Sequence, residues 1–171
     1  QKSVYTSFQG LRSSNLRFEQ SDPVTLTSKA VFANVTWNVT DALSLNGGIR
    51  YTDEKKTYKY VRRSPEGGPP PAALASLDGK VGVSAGDKVD YRIALQYRWN
   101  DQVMTYAQFA TGYKGGGVNP RPFYAQQVLP FGPETLQSWE AGIKTDLFDR
   151  RLRLNVAGFF SKYDDIQLTL T

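Results

Sequence analysis

The chain has 171 residues, a formal net charge of +5, and neither cysteine nor histidine. Lack of cysteine excludes a disulfide scaffold and thiolate metal sites, and lack of histidine removes the commonest imidazole ligand and general base. No window approaches the roughly 18 apolar residues of a membrane helix, and the positive charge is too dispersed for a nucleic-acid stripe. Mean hydropathy of −0.46 resembles that of a soluble domain. An alternating barrel strand, however, hides its lipid face from any average. Both settings stay open on composition. Gln1 is preceded by no Met and followed by no apolar leader, so the chain is expected to begin after processing or in mid-protein.

In chain order, residues 1–23 are polar and broken by Gly10, Ser13-Ser14 and Asp22-Pro23, which predicts a loop with a short strand at Val4–Phe8. Alternation then begins. Val31, Ala33, Val35, Trp37 and Val39 oppose Phe32, Asn34, Thr36 and Asn38. After a turn at Thr40-Asp41-Ala42, Leu43, Leu45, Gly47, Ile49 and Tyr51 oppose Ser44, Asn46, Gly48, Arg50 and Thr52. Period two places each set on one face of a strand. Asp53–Arg63 continues as a polar tail. Ser64–Asp87, with Gly67-Gly68 and three consecutive prolines, reads as an exposed linker.

The plan repeats twice more. Tyr91, Ile93, Leu95, Tyr97 and Trp99 share a parity, Asn100-Asp101 turns, and Val103, Thr105, Ala107, Phe109 and Thr111 follow. That last parity is the less sharply drawn, because Met104 and Tyr106 opposite are apolar too. Lys114–Glu134 is a second long loop. Trp139, Ala141, Ile143 and Leu147 then run to a turn at Phe148-Asp149-Arg150, and Leu152, Leu154, Val156, Gly158 and Phe160 return. Hairpins are thus expected at about 24–63, 88–114 and 135–171. Short turns fall on one side and long connections on the other, the loop sorting of an outer-membrane barrel.

Trp37 and Trp99 sit just before turns, while Tyr51, Phe109 and Phe159-Phe160 lie about ten residues beyond them. Ten residues at about 3.3 Å, tilted, cover roughly 25 Å of height, the apolar band of a barrel. Trp37, Tyr51, Trp99, Phe109, Trp139 and Phe160 are therefore the candidate membrane girdle. A soluble sandwich packing these aromatics into a core is the alternative. The apolar set is expected to face outward in the first case and a second sheet in the other.

No motif supports catalysis. Lys114-Gly115-Gly116-Gly117 lacks the helix and the ending of a phosphate loop. Asp164-Asp165 and Glu134 with Glu140 read as strand-end and lumen charges rather than acid–base pairs. Asn34-Val35-Thr36 and Asn38-Val39-Thr40 match the glycosylation pattern by coincidence. Lys55, Lys56, Lys59, Arg62 and Arg63 read as a solvated strand extension, or else as a contact for lipopolysaccharide phosphates or an anionic ligand. In the second long loop Lys114, Arg121, Tyr124, Gln126 and Gln127 combine charge, an aromatic and amides beside flexible glycines. They are the candidate ligand contacts, against a loop that merely shields the mouth. No metal site and no cofactor are expected.

Three stretches carry a family resemblance. WNVTDALSLNGGIRYTDEKK (37–56), MTYAQFATGYKGGGVN (104–119) and PETLQSWEAGIKTDLFDRRLRLNVAGFFSKYDDIQ (133–167) resemble, in order, segments of the barrel of TonB-dependent outer-membrane receptors. The resemblance implies an all-β fold, an antiparallel transmembrane β-barrel segment of about six strands within a barrel of about 22. It implies the outer membrane of a Gram-negative bacterium, with lipid and lipopolysaccharide as surroundings. Partners would be a siderophore or other scarce small ligand, the TonB complex reached through a plug not seen in this stretch, and no nucleic acid. The chain would be an internal slice of a larger receptor. A passive porin and a soluble β-sheet ligand-binding domain are the alternatives.

Overall fold

The computed structural model describes residues 2–11 and 16–168. Its long strands are β1 (Lys2–Leu11), β2 (Leu16–Asn38), β3 (Leu43–Lys59), β5 (Val81–Arg98), β6 (Val103–Lys114), β9 (Glu134–Leu147) and β10 (Leu152–Asp164). They lie side by side in that order, and the two-residue β4 (Arg62–Arg63) pairs with β2. β7 (Gly117–Val118) and β8 (Pro130–Phe131) form a separate ribbon. Among the described residues β1 and β10 each have a single neighbour in the main sheet, which is therefore open.

Two compact units divide the chain: a hairpin unit (30–52, 87–114, 133–171) and a loop-bearing unit (1–29, 53–86, 115–132). β2, β3 and β5 contribute residues to both.

In the hairpin unit the antiparallel register settles which residues share a face. Directly paired side chains lie on the same side of an antiparallel sheet. Leu95, Ala107, Ala141 and Gly158 line up across β5, β6, β9 and β10, as do Tyr97, Thr105, Ile143 and Val156. The opposite face carries Gln96, Tyr106, Gly142 and Ala157 in one row and Arg98, Met104, Lys144 and Asn155 in the next. Tyr106 and Met104 thus belong to the polar face. The Tyr106 hydroxyl donates to Glu140 Oε1 (2.5 Å), and its ring lies 5.5 Å from Lys144 Nζ. The apolar set is not packed between sheets: Ile49, Tyr91, Ile93, Leu95 and Trp99 are all exposed.

The three expected tight turns are present, and each is held by its own hydrogen bonds. Thr40 Oγ1 accepts from the Ala42 and Leu43 amides, and Asn100 Oδ1 accepts from those of Gln102 and Val103. The third turn has positive φ at Phe148, Asp149 and Arg150, closed by Arg151 N–H donating to the Phe148 carbonyl. The loop between the paired Leu147 and Leu152 is thus carried by consecutive left-handed residues.

The loop-bearing unit overturns two expectations. The described residues before Val24 are not irregular: β1 and the start of β2 pair from Lys2↔Thr25 to Leu11↔Leu16, with Pro23 opposite Val4; the expected breaker at Ser13-Ser14 lies outside the described residues. Asp22, read as a breaker, instead spends its side chain on the Val61 amide and the Arg62 guanidinium. Nor is the connection after Arg63 a bare linker. A 3-10 turn at Ala72–Leu74 buries Leu74, and Leu77 is buried with it. Tyr60 N–H donates to Lys80 O and Gly79 N–H to Tyr60 O, closing the loop at its base. Phe18, Tyr60, Leu74, Leu77 and Val118 make a small core here.

Candidate functional site

The second long connection, in the loop-bearing unit, is built outward from β7 and β8. Gly117 pairs with Phe131 and Val118 with Pro130, which brings the two ends of the loop together. Above this ribbon Asn119 N–H donates to the Leu129 carbonyl (3.2 Å). The Asn119 side chain turns forward, and its Oδ1 accepts from the Arg121 amide (3.0 Å). A 3-10 turn at Ala125–Gln127 completes the tip, with Gln127 Oε1 accepting from the Phe123 and Tyr124 amides. Gln127 thus organises the backbone of the tip through its Oε1. Arg121, Tyr124 and Gln126 are exposed on this tip. Lys114 belongs to the hairpin unit, at the end of β6, where its ammonium lies 3.9 Å from the Glu134 carboxylate.

Below the tip lies a cluster that sequence reasoning missed. Arg62, read as part of a solvated extension, is buried; its Nη1 lies 2.6 Å from Asp22 Oδ1 and also donates to the Val61 carbonyl. The guanidinium carbon sits 5.9 Å from the Phe18 ring centroid and 5.7 Å from that of Tyr60, within cation–π range. The Tyr60 hydroxyl donates to the Asn119 carbonyl (2.7 Å). Burial, then the nearby Asp22 carboxylate and the Tyr58 phenol, push this hydroxyl up to about 12 against the opposing pull of Arg62. It is a proton donor at every physiological pH. The rest of the basic stretch divides. Lys56 Nζ donates to the Gly116 carbonyl, Arg63 pairs with Asp78, and Lys55 and Lys59 are exposed. Alternation along residues 56–62 was the available signal. It could not reveal burial, because Asp22 lies forty positions away.

The girdle candidates lie in the hairpin unit. Phe109, Trp139 and Phe160 pair directly across β6, β9 and β10, with ring centroids 5.0 Å and 5.7 Å apart. On β5 Ile93 is the direct partner of Phe109, and the Tyr91 ring reaches Phe109 diagonally, 5.8 Å away. Trp37 and Trp99 stand beside tight turns, Trp99 edge-on to Tyr97 and donating to Thr105 Oγ1. Tyr51 is exposed on β3. Phe159 does not belong with Phe160: it pairs with Glu140 and shares the polar face. Glu134 and Glu140 do not form a carboxylate pair either. One accepts from the Gln167 amide and the other from Tyr106.

An open antiparallel sheet with an apolar and a polar face, tight turns and long built loops meets one family on sequence as well. The description "TonB dependent receptor-like, beta-barrel" matches residues 2–171. The chain belongs to the TonB-dependent receptor barrel family. It is 28% identical over 144 residues to the pesticin receptor of Yersinia enterocolitica, covering 84% of this chain and 20% of that protein, with the same figures for the Yersinia pestis pesticin receptor. It thus spans about a fifth of the length of these relatives. Among solved structures, the ferric yersiniabactin uptake receptor FyuA from Yersinia pestis superposes with a TM-score of 0.79 at 24% identity. That match covers 98% of this chain and 24% of FyuA. The ferric-catecholate import receptor Fiu from E. coli K12, in its closed form, gives a TM-score of 0.61 at 18% identity over 88% of this chain and 22% of Fiu. At these identities the likeness is one of fold.

Proposed function

We propose that this chain is wall and loop of an outer-membrane receptor of a Gram-negative bacterium that imports a ferric siderophore by coupling to TonB. The observation that carries this is the family match over residues 2–171, and the names of the relatives supply the cargo class. In this reading the face bearing Leu95, Ile143 and Val156 meets lipid. Tyr91, Phe109, Trp139 and Phe160 form one aromatic girdle, and Trp37 and Trp99 belong to the other, with Tyr51 at the first. Lipid and lipopolysaccharide surround that face. The polar face lines the barrel. Coupling to the TonB complex runs through a plug elsewhere in the receptor, and no step is enzymatic.

The exposed tip supplies the ligand contacts. Arg121 attracts an anionic chelate, Tyr124 offers a ring for stacking, and Gln126 adds amide hydrogen bonds; Lys114, in the hairpin unit, is proposed as a separate cationic contact. The test is uptake of ⁵⁵Fe-labelled yersiniabactin, and of a ferric catecholate, by cells expressing the full-length receptor. Uptake that collapses without TonB or the proton gradient supports the proposal. Undiminished uptake without either makes the protein a passive pore, and no uptake of any ferric chelate removes the cargo class.

A further inference from the structure

Asn119 has all its backbone and its side-chain carbonyl engaged, and each bond does a separate job. Its N–H closes the tip onto Leu129, its Oδ1 receives the Arg121 amide, and its carbonyl receives the Tyr60 hydroxyl. The first two bonds lie within the tip. Only the third of these ties it to the core, because Tyr60 is fully enclosed and packs beside the buried Arg62–Asp22 pair. Gln20 adds a longer bond, 3.5 Å, to the Pro120 carbonyl next door, and Lys56 holds Gly116. The stretch Gly116–Pro120 is thus fastened at its carbonyls, while Arg121, Tyr124 and Gln126 beyond it are exposed.

We infer that Tyr60 is the positioning residue of this tip: its hydroxyl, through Asn119, sets where Arg121 is presented, without touching the ligand itself. The inference rests on the ligand-contact reading above. Ordering a loop before binding removes part of the entropy that binding must otherwise overcome. A ligand that meets a fixed Arg121 binds more tightly than one that must order it. The phenol remains protonated across the working pH range, so the bond is present whenever the receptor works.

The experiment uses the full receptor in detergent, with a nitroxide attached at the exposed Leu129→Cys for mobility and the unlabelled protein for affinity, in the native and Tyr60→Phe backgrounds. Phenylalanine keeps the ring against Arg62 and removes only the donor. The expected result is a more mobile label with the melting temperature unchanged. Affinity for ferric yersiniabactin is expected to fall by about threefold to tenfold, the span of one lost hydrogen bond. Asn119→Ala should mobilise the label in the same way, and Asn119→Asp, which keeps the acceptor, should restore it. A label equally immobile in Tyr60→Phe and Asn119→Ala overturns the inference. So does an affinity loss of the same size when Arg121→Ala and Tyr124→Ala are already present, because positioning has nothing left to position. A mobilised label with unchanged affinity also overturns it, and in that case the fault lies in the ligand-contact reading rather than in the geometry.

Discussion

Arg62 and Asp22 form an ion pair at 2.6 Å in which both side chains are almost wholly enclosed. Among the described residues Arg62 Nε and Nη2 and Asp22 Oδ2 have no hydrogen-bond partner, so the pair is shielded by rings rather than saturated by hydrogen bonds. It joins β4 to β2, where Arg62 pairs with Gln20, and so it holds the 60–80 connection. Removing one member strands the other charge.

Asp22→Asn or Arg62→Met alone should destabilise the loop-bearing unit by about 3–5 kcal/mol. Asp22→Leu with Arg62→Met should recover most of that, because an apolar pair has no charge to leave unpaired. Protease cleavage within 64–71, followed against time in the full receptor, reads the order. Equal cleavage in the single and double variants would refute the account.

Gly142 is a packing position on the polar face. A Cβ there would come within 2.7–2.8 Å of Tyr106 ring carbons and 2.8 Å of the Val156 carbonyl oxygen. Gly142→Ala should therefore lower stability by about 1–3 kcal/mol. Adding Tyr106→Ala should relieve the clash only in part, since the backbone oxygen stays. Heat-dependent gel mobility of the refolded receptor reports the difference.

Leu95 tests which face meets lipid. Leu95→Arg should cost about 2–4 kcal/mol if the site lies near mid-bilayer, whereas Gln96→Arg on the opposite face should change stability little. Refolding titrations into lipid vesicles measure both, and equal effects would remove the assignment of faces.

Two loop groups make opposite pH predictions. Burial pulls the Asp78 carboxyl upward, but the Arg62 amide, the Arg63 hydrogen bond and the charges of both arginines outweigh it and hold it below its ordinary value of 3.8. Protons then bind the unfolded loop more readily, so this contribution is present above that pH and is lost as pH falls. Tyr60, raised from 10.0 to about 12, retains its proton in the fold when the unfolded chain has lost it. Stability therefore drops as pH climbs from 10 toward 12. Proteolysis of the loop across pH should show both edges, the alkaline one weakened in Tyr60→Phe and not abolished, because burial also raises Tyr58.

Alternation within 31–52, 91–99 and 139–160, and the sites of the tight turns, were legible in the sequence. Side-chain parity along a strand is a local property, set by the backbone's period of two. So was the family, through the segments at 37–56, 104–119 and 133–167. Three things waited for the tertiary structure. Register with β9 set the Tyr106 hydroxyl on Glu140 and placed Phe159 opposite that same Glu140. Burial turned Arg62 from a surface cation into the centre of a core, and its partner Asp22 was hidden in a stretch whose Asp-Pro reads as a turn. The loops acquired a core of their own because Leu74, Leu77 and Val118 find Tyr60 and Phe18 only after the chain has doubled back. Pairing and burial depend on residues far apart in the chain, and no window of local sequence contains both partners.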